Sequence, residues 1–224
     1  MIDAIEHVEC KKLEIIGECA FRDCRSLESI DLSSAKSVEE GAFIGCEALR
    51  DVKFGKSLDW LGTEAFDDCT SLERITIPLK NGLTENDSVF GGCENLKRVD
   101  LVEDKILHET ATALLLGEWR QDLRNVIDSI NQILPNIPAE RLYEYNIYGE
   151  AVVVGGKTRA IREWIQRVLR KIHHYKAQHR SILNEAAAIL QLDLPSDIVH
   201  NNVLAFFELP LYTFDGEDAI VEQR

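Results

Sequence analysis

Apolar positions in the first hundred residues fall into a register that returns every 22 to 24 residues. Its markers are Cys24, Cys46, Cys69 and Cys93, each closing a short phrase: Ala20-Phe21-Arg22-Asp23-Cys24, Ala42-Phe43-Ile44-Gly45-Cys46, Ala65-Phe66-Asp67-Asp68-Cys69 and Val89-Phe90-Gly91-Gly92-Cys93. After each cysteine come a leucine, a second apolar residue that is Ile or Val, and a third: Leu27, Ile30, Leu32; Leu49, Val52, Phe54; Leu72, Ile75, Ile77; Leu96, Val99, Leu101. The last two positions lie two apart, the period that sends side chains to one face of an extended strand, and Ile, Val and Phe favour that conformation. The pattern predicts four short strands.

One copy cannot bury its own apolar face, but stacked copies cover one another and enclose a continuous column of Phe, Cys and Leu. Gly17 and Gly62 precede the Phe at one offset, where a tight turn or close backbone approach fits. Glu39 holds that slot in the second copy, with Gly41 displaced, and Asn86 holds it in the fourth, so those two turns are expected to be irregular. Cys10 and Leu13 read as the remnant of a preceding copy that lacks its outward leg.

The phrase from Ile16-Gly17-Glu18-Cys19-Ala20-Phe21 through Asp31-Leu32, and its third copy from Leu61-Gly62-Thr63-Glu64-Ala65-Phe66 through Ile77-Pro78, resemble leucine-rich repeats of the bacterial surface-antigen type, which also occur in diatoms and other protists. The resemblance covers roughly residues 8 to 104. It implies an α/β solenoid: a short right-handed leucine-rich repeat coil with a parallel β-sheet face. It also implies protein interaction, with no catalytic residues to carry over.

Residues 1–104 are accordingly expected to form a solenoid of about four coils, and 105–224 an α-helical C-terminal capping region. Between the inward positions, strand residues face outward: Glu28, Ser29 and Asp31; Arg50, Asp51 and Lys53; Glu73, Arg74 and Thr76; Lys97, Arg98 and Asp100. Equivalent residues of neighbouring coils lie about 4.8 Å apart in a parallel ladder. Glu28, Arg50, Glu73 and Lys97 then make a self-satisfying column of alternating sign. Arg74 and Arg98 form a like-charged pair beside Asp51, freer to engage an external carboxylate. The protein-binding set is therefore Glu28, Asp31, Arg50, Asp51, Lys53, Glu73, Arg74, Lys97, Arg98 and Asp100. A merely solvated, self-neutralised face is the alternative, because surface ion pairs are common and contribute little.

Six cysteines raise the question of metal or disulfides. Zinc sites use close pairs, whereas these thiols are spaced one per coil, and free Cys is a readily buried small hydrophobe. Buried packing is the expected use.

Past Asp104 the spacing becomes helical. Leu107 to Leu116 is one segment, and a second carries Trp119, Leu123, Val126, Ile127, Ile130, Ile133 and Leu134 on one face, ending at Pro135 and Pro138. These helices are expected to cover the last repeat, whose bare edge would invite aggregation. Ala151-Val152-Val153-Val154 reads as a short strand or a packed loop. Gly155-Gly156-Lys157-Thr158 follows, but a phosphate-binding loop requires G-x-x-x-x-G-K-[ST], and Ala151 stands at its first glycine. No cofactor is expected.

A long helix is signalled from Thr158 by Ile161, Trp164, Ile165, Val168, Ile172 and Tyr175, with a possible extension through Ile182, Leu183, Ala186 and Leu190. Pro195 stops it, and Ser196-Asp197 reads as the cap of a last helix. His173, His174 and His179 lack the three- or four-residue spacing that stacks two ligands on one helical face. With no linked nucleophile, base and orienting group, neither catalytic nor metal residues are assigned.

The formal net charge of −14 is broken by one basic band: residues 157–180 carry 8 basic and 1 acidic group, against 1 and 8 in residues 181–224. An acidic bulk disfavours nucleic acid and anionic membranes. Helix 158–180 is expected to contact acidic surface in cis, in the repeats or in the tail around Glu208, Asp215, Glu217 and Asp218. With no apolar run near the ~20 residues that span a bilayer and no secretory signal pattern at the start, a cytoplasmic or nuclear location is expected. The sequence thus favours a non-enzymatic protein-interaction scaffold. The alternatives are an enzyme or metal protein centred on the helical half, and a structural spacer.

Overall fold

The computed structural model describes residues 7–9, 12–84, 87–102, 104–138, 142–145, 151–154, 156–191 and 194–207. Eight strands come first: β1 (His7–Glu9), β2 (Ile15–Ile16), β3 (Ser29–Leu32), β4 (Ser37–Val38), β5 (Asp51–Phe54), β6 (Trp60–Leu61), β7 (Arg74–Ile77) and β8 (Arg98–Leu101). Helices α1 (Asp104–Ala113), α2 (Gly117–Asp128), α3 (Ile130–Ile133), α4 (Gly156–Leu190) and α5 (Ser196–Ile198) follow, with β9 (Leu142–Tyr145) and β10 (Ala151–Val154) between α3 and α4. The fold is a leucine-rich repeat β-solenoid with a parallel sheet, followed by a C-terminal α-helical region.

Two compact units divide the chain: Met1–Glu103 with Ser129–Gln166, and Asp104–Asp128 with Arg167–Arg224. In the first, β1, β3, β5, β7 and β8 form a five-stranded parallel sheet, while β2, β4 and β6 form a second, shorter one. The copy before Cys24 is thus present as a strand, with His7 in register with Ser29. The predicted inward residues are buried along the repeats, Phe43, Cys46, Leu49, Phe66, Cys69, Leu72, Cys93 and Leu96 among them. Phe21, Phe43, Phe66 and Phe90 stack from coil to coil at centroid spacings of 5.1, 5.0 and 5.8 Å. Each coil also donates to the next through its backbone: Phe21 N–H to the Ala42 carbonyl (2.7 Å), Phe43 N–H to Ala65 (2.8 Å) and Phe66 N–H to Val89 (2.9 Å).

The thiols do more than fill space. Cys46 donates to the Phe21 carbonyl at 3.1 Å, Cys69 to Phe43 at 3.2 Å and Cys93 to Phe66 at 3.0 Å, so each thiol ties its coil to the one before. Burial pushes the Cys93 thiol up to about 12, and the Cys46 thiol beside it, together with burial, holds Cys69 well above the usual range. Such thiols stay protonated at neutral pH and are poor nucleophiles and metal ligands. The five described cysteines are unbridged. Since a hydroxyl at position 69 would find the same acceptor, Cys69→Ser is expected to cost no more than Cys69→Ala. Both should lose about 1 kcal/mol in chemical denaturation, and a serine penalty about 2 kcal/mol above alanine would contradict the bonded-thiol picture.

The second turn is more regular than the glycine pattern suggests, while Asn86 of the fourth lies outside the described residues. Cys19, Gly41 and Glu64 take equivalent left-handed conformations, φ +52°, +61° and +55°, so the displaced Gly41 sits where the backbone uses it. A second left-handed residue precedes each marker cysteine, in the order Asp23, Gly45, Asp68, Gly92. Asp is among the few residues other than Gly that tolerate this region. The alternation has a steric cause: a Cβ on Gly45 would lie 2.7 Å from Asp23 Oδ1, and one on Gly92 2.1 Å from Asp68 Oδ1.

β9 and β10 pair antiparallel, which makes Ala151–Val154 a strand. The predicted stripe of α4 is buried from Ile161 to Tyr175, but in its extension Ile182 is exposed and Leu183, Ala186 and Leu190 are half-buried. In the second unit, Trp119, Leu123 and Ile127 form the buried face of α2. Trp119 stacks on Tyr175 at 5.5 Å, and the Tyr175 hydroxyl donates to Asp122 Oδ2 at 2.5 Å. Lys171 lies 2.8 Å from the same carboxylate, and its hydrogen bond, with that of Tyr175, holds Asp122 below the usual range.

α5 starts differently from expectation. Pro195 is its N-cap, with no side-chain cap bond, and Ser196 is the first helical residue. The segment then widens over Val199–Val203 and tightens over Leu204–Phe207. Buried His179 places Nε2 2.8 Å from the Phe207 carbonyl oxygen. Glu208, Asp215, Glu217 and Asp218, expected as acidic partners of α4, lie outside the described residues.

Candidate protein-binding face

The five-stranded sheet presents the predicted columns in the predicted register. Ser29 pairs with Asp51, Asp51 with Arg74 and Arg74 with Arg98; Asp31 pairs with Lys53, Lys53 with Thr76 and Thr76 with Asp100. The column of alternating sign advances by the bonds from Arg50 N–H to the Glu28 carbonyl (3.1 Å), Glu73 N–H to Arg50 (2.9 Å) and Lys97 N–H to Glu73 (3.0 Å). Glu28, Asp31, Arg50, Asp51, Lys53, Glu73, Arg74, Lys97 and Arg98 are exposed, and Ser29, Thr76 and Asp100 are half-buried. The face carries charge throughout and no aromatic side chain among the residues of these columns.

Arg74 and Arg98 are not as free as the sequence suggests. Arg98 Nε lies 2.8 Å from Asp100 Oδ1, and Arg74 Nε lies 3.8 Å from Asp100 Oδ2 and 4.0 Å from Asp51 Oδ1. Two guanidiniums in adjacent register therefore converge on one carboxylate. The cause is the strand period: Arg98 and Asp100, two apart, share the solvent face, so Asp100 reaches both cations. Asp31 closes the turn after its strand by accepting from Ser33 N–H at 2.9 Å. The shorter sheet carries further pairs that the sequence reading missed, Glu14 with Lys36 at 2.8 Å and Asp59 with Lys80.

The far edge of the five-stranded sheet is closed by Asn131, which the sequence did not single out, and by Lys157, Thr158 and the basic-band residue Arg162, which drew notice there for other reasons. Asn131 of α3 accepts from Val99 N–H at 2.8 Å and donates to the Val99 carbonyl at 3.1 Å, giving β8 the two bonds that a next strand would supply. The Lys157 ammonium donates to the carbonyls of Cys93, Glu94 and Leu96, each at 2.8 Å, matching its three donors to three acceptors. Phe90 N–H donates to Thr158 Oγ1 at 3.0 Å, where earlier coils use a carbonyl of the following coil. Arg162 pairs with Asp87 of the repeats. The Gly-Lys-Thr sequence is thus a coil substitute, with its ammonium held on the repeat backbone and desolvation holding it below the usual lysine range. Among the described residues the basic helix meets acid on other elements at Arg162 with Asp87 and Lys171 with Asp122.

These features define a leucine-rich repeat solenoid with a charged sheet face. Residues 4–111 match the model of the BspA type leucine rich repeat region, in six copies. Solved structures similar to the chain include a leucine-rich cell surface protein from Faecalibacterium prausnitzii, 24% identical, covering 43% of this chain and 30% of that one, with a TM-score of 0.35. A leucine-rich repeat protein from Bacteroides ovatus is 32% identical, with 43% and 25% covered and a TM-score of 0.38. The T. pallidum leucine rich repeat protein is 24% identical, with 42% and 56% covered and a TM-score of 0.34. The chain therefore spans between a quarter and somewhat over half of the length of these proteins. No curated protein matches it.

Leucine-rich repeat folds of this kind are typically non-catalytic scaffolds. Among the described residues, no group of three or more His, Cys, Asp or Glu side chains is placed to hold a metal ion, and no helix is long and apolar enough to cross a membrane.

Proposed function

We propose that the chain is a protein-interaction module, of a type also found in diatoms and other protists, that engages its partner through the five-stranded sheet face. The observation that carries this reading is the register of Arg74 with Arg98 over the shared carboxylate of Asp100. Loose pairs at 3.8 to 4.0 Å on half-exposed side chains contribute little to stability. They hold charge in place at small cost to exchange for a partner's. Residues 1–104 carry the interaction in this reading, and 105–224 support and cap it. Unbridged cysteines suit a cytoplasmic or nuclear setting. The charged character of the face, with no aromatic anchor, fits a partner protein of modest affinity.

The test is an affinity capture comparing wild type with Arg74→Glu/Arg98→Glu. The double variant is expected to lose its specific partner by at least about tenfold while its melting temperature stays within about 2 °C, as for surface substitutions. Retention of every partner would refute the assignment.

A further inference from the structure

The charges on the sheet face are sorted by strand. On β3 and the residue just before it the outward residues are Glu28, Ser29 and Asp31, with two acids and no base. On β5, β7 and β8, each with the residue just before it, they include five cations, Arg50, Lys53, Arg74, Lys97 and Arg98, against three anions, Asp51, Glu73 and Asp100. The face therefore steps from net negative at β3 to net positive over the next three strands, inside a chain whose total charge is −14. At about 4.8 Å per strand, Glu28 and Asp31 at β3 lie roughly 14 Å across the sheet from Arg98 at β8.

From this polarity we infer that the sheet face takes a partner segment in one orientation, with the segment's carboxylates over Arg74 and Arg98 and its cations over Glu28 and Asp31. The inference rests on the sheet-face reading above and adds the partner's chemistry to it: a mixed-charge peptide segment with acid and base separated by roughly 14 Å, about four extended residues. Complementary charge fixes register and direction more than it adds affinity. Two further observations bear on how the segment is read. Asn131 occupies both the N–H and the carbonyl of Val99, so a strand cannot add to that stretch of the β8 edge, and the partner must meet side chains. Arg74 meets Asp100 and Asp51 only through half-exposed pairs at 3.8 and 4.0 Å, which a partner's carboxylate can exchange at small cost.

The experiment uses the full chain, isotope-labelled, with two synthetic peptides of identical composition: a block peptide, Glu-Glu-Gly-Gly-Gly-Lys-Lys, and an alternating one, Glu-Lys-Gly-Gly-Gly-Glu-Lys. A nitroxide is attached at either end of each. The block peptide is expected to bind about tenfold more tightly at low salt. Its Glu-end nitroxide should broaden the amides of Arg74 and Arg98, and its Lys-end nitroxide those of Ser29 and Asp31. In the variant Glu28→Lys/Asp31→Lys/Arg74→Glu/Arg98→Glu the two broadening patterns should exchange, a readout that altered stability alone does not produce. If sheet amides respond but the two peptides bind equally, or both nitroxide positions broaden the same amides, the orientation is overturned while the face reading stands. If the peptides move amides elsewhere and leave the sheet unperturbed, the face reading falls with it.

Discussion

Lys157→Met is expected to destabilise the protein by about 3 kcal/mol, more than any exposed lysine substitution, because it removes the shared donor of three carbonyls at the end of the repeats. Leaving a buried acceptor unmet costs about 1 to 3 kcal/mol. The carbonyls of Cys93, Glu94 and Leu96 are all within 2.8 Å of this one ammonium. Methionine keeps the length and apolar stem of lysine but brings no donor, so the loss reports the bonds and not the packing. For a chain of 224 residues that corresponds to a fall in melting temperature of about 6 to 12 °C. Lys97→Met, at an exposed position on the sheet face, is the control and should change stability by less than about 0.5 kcal/mol. Equal effects of the two substitutions in calorimetry would mean that Lys157 closes nothing.

Gly55→Ala should be at least as damaging. A Cβ there would lie 2.0 Å from the Ser33 carbonyl oxygen and 3.0 Å from its carbon, both backbone atoms of the preceding coil. The only relief is to push the stacked coils apart, which breaks neighbouring ladder bonds together. A loss above about 3 kcal/mol, or failure to fold, is therefore expected, in the range of severe overpacking. Gly17→Ala is the contrast, with no atom within 4 Å of its Cβ position. It should be neutral, or slightly stabilising through reduced freedom of the unfolded chain. Thermal melts of the two alanine variants that coincide would contradict the stacking distance in the structure.

These two positions also show what the amino-acid pattern reveals and what it hides. Gly17 and Gly62 share a slot in the repeat, yet only Gly62 faces a close backbone: a Cβ on it would lie 2.6 Å from Glu40 N. Repeat registers report an average coil, whereas the contact at each glycine depends on the particular neighbouring coil. The spine of Phe, Cys and Leu was legible because its signal is written four times. So were the charged columns, because the strand period of two fixes which residues share a face.

That helices would cover the last repeat was expected; which side chains make the contact was not legible. Lys157 and Asn131 meet the repeats across sequence separations of 61 to 64 and 32 residues, and each is a single residue with no periodic echo. In sequence the Gly-Lys-Thr tripeptide could only be compared with a phosphate-binding loop and found incomplete. Its real role depends on which backbone groups the last coil leaves unpaired, a property of the folded ladder. The engagement of Arg74 and Arg98 is hidden for a smaller reason. Asp51 is their evident neighbour along the column, whereas Asp100 reaches them from further along the strand that carries Arg98.

Native-state hydrogen exchange of three amides tests the stacked, closed solenoid most directly. Phe43 N–H and Phe66 N–H each donate to a carbonyl of the next coil, and Phe90 N–H donates to Thr158 Oγ1 in place of one. All three are expected to exchange only through global unfolding, at a common free energy. Exchange of Phe43 or Phe66 near the free-peptide rate would contradict stacking itself. Slow exchange at those two with a fast Phe90 would contradict the closure by Lys157 and Thr158.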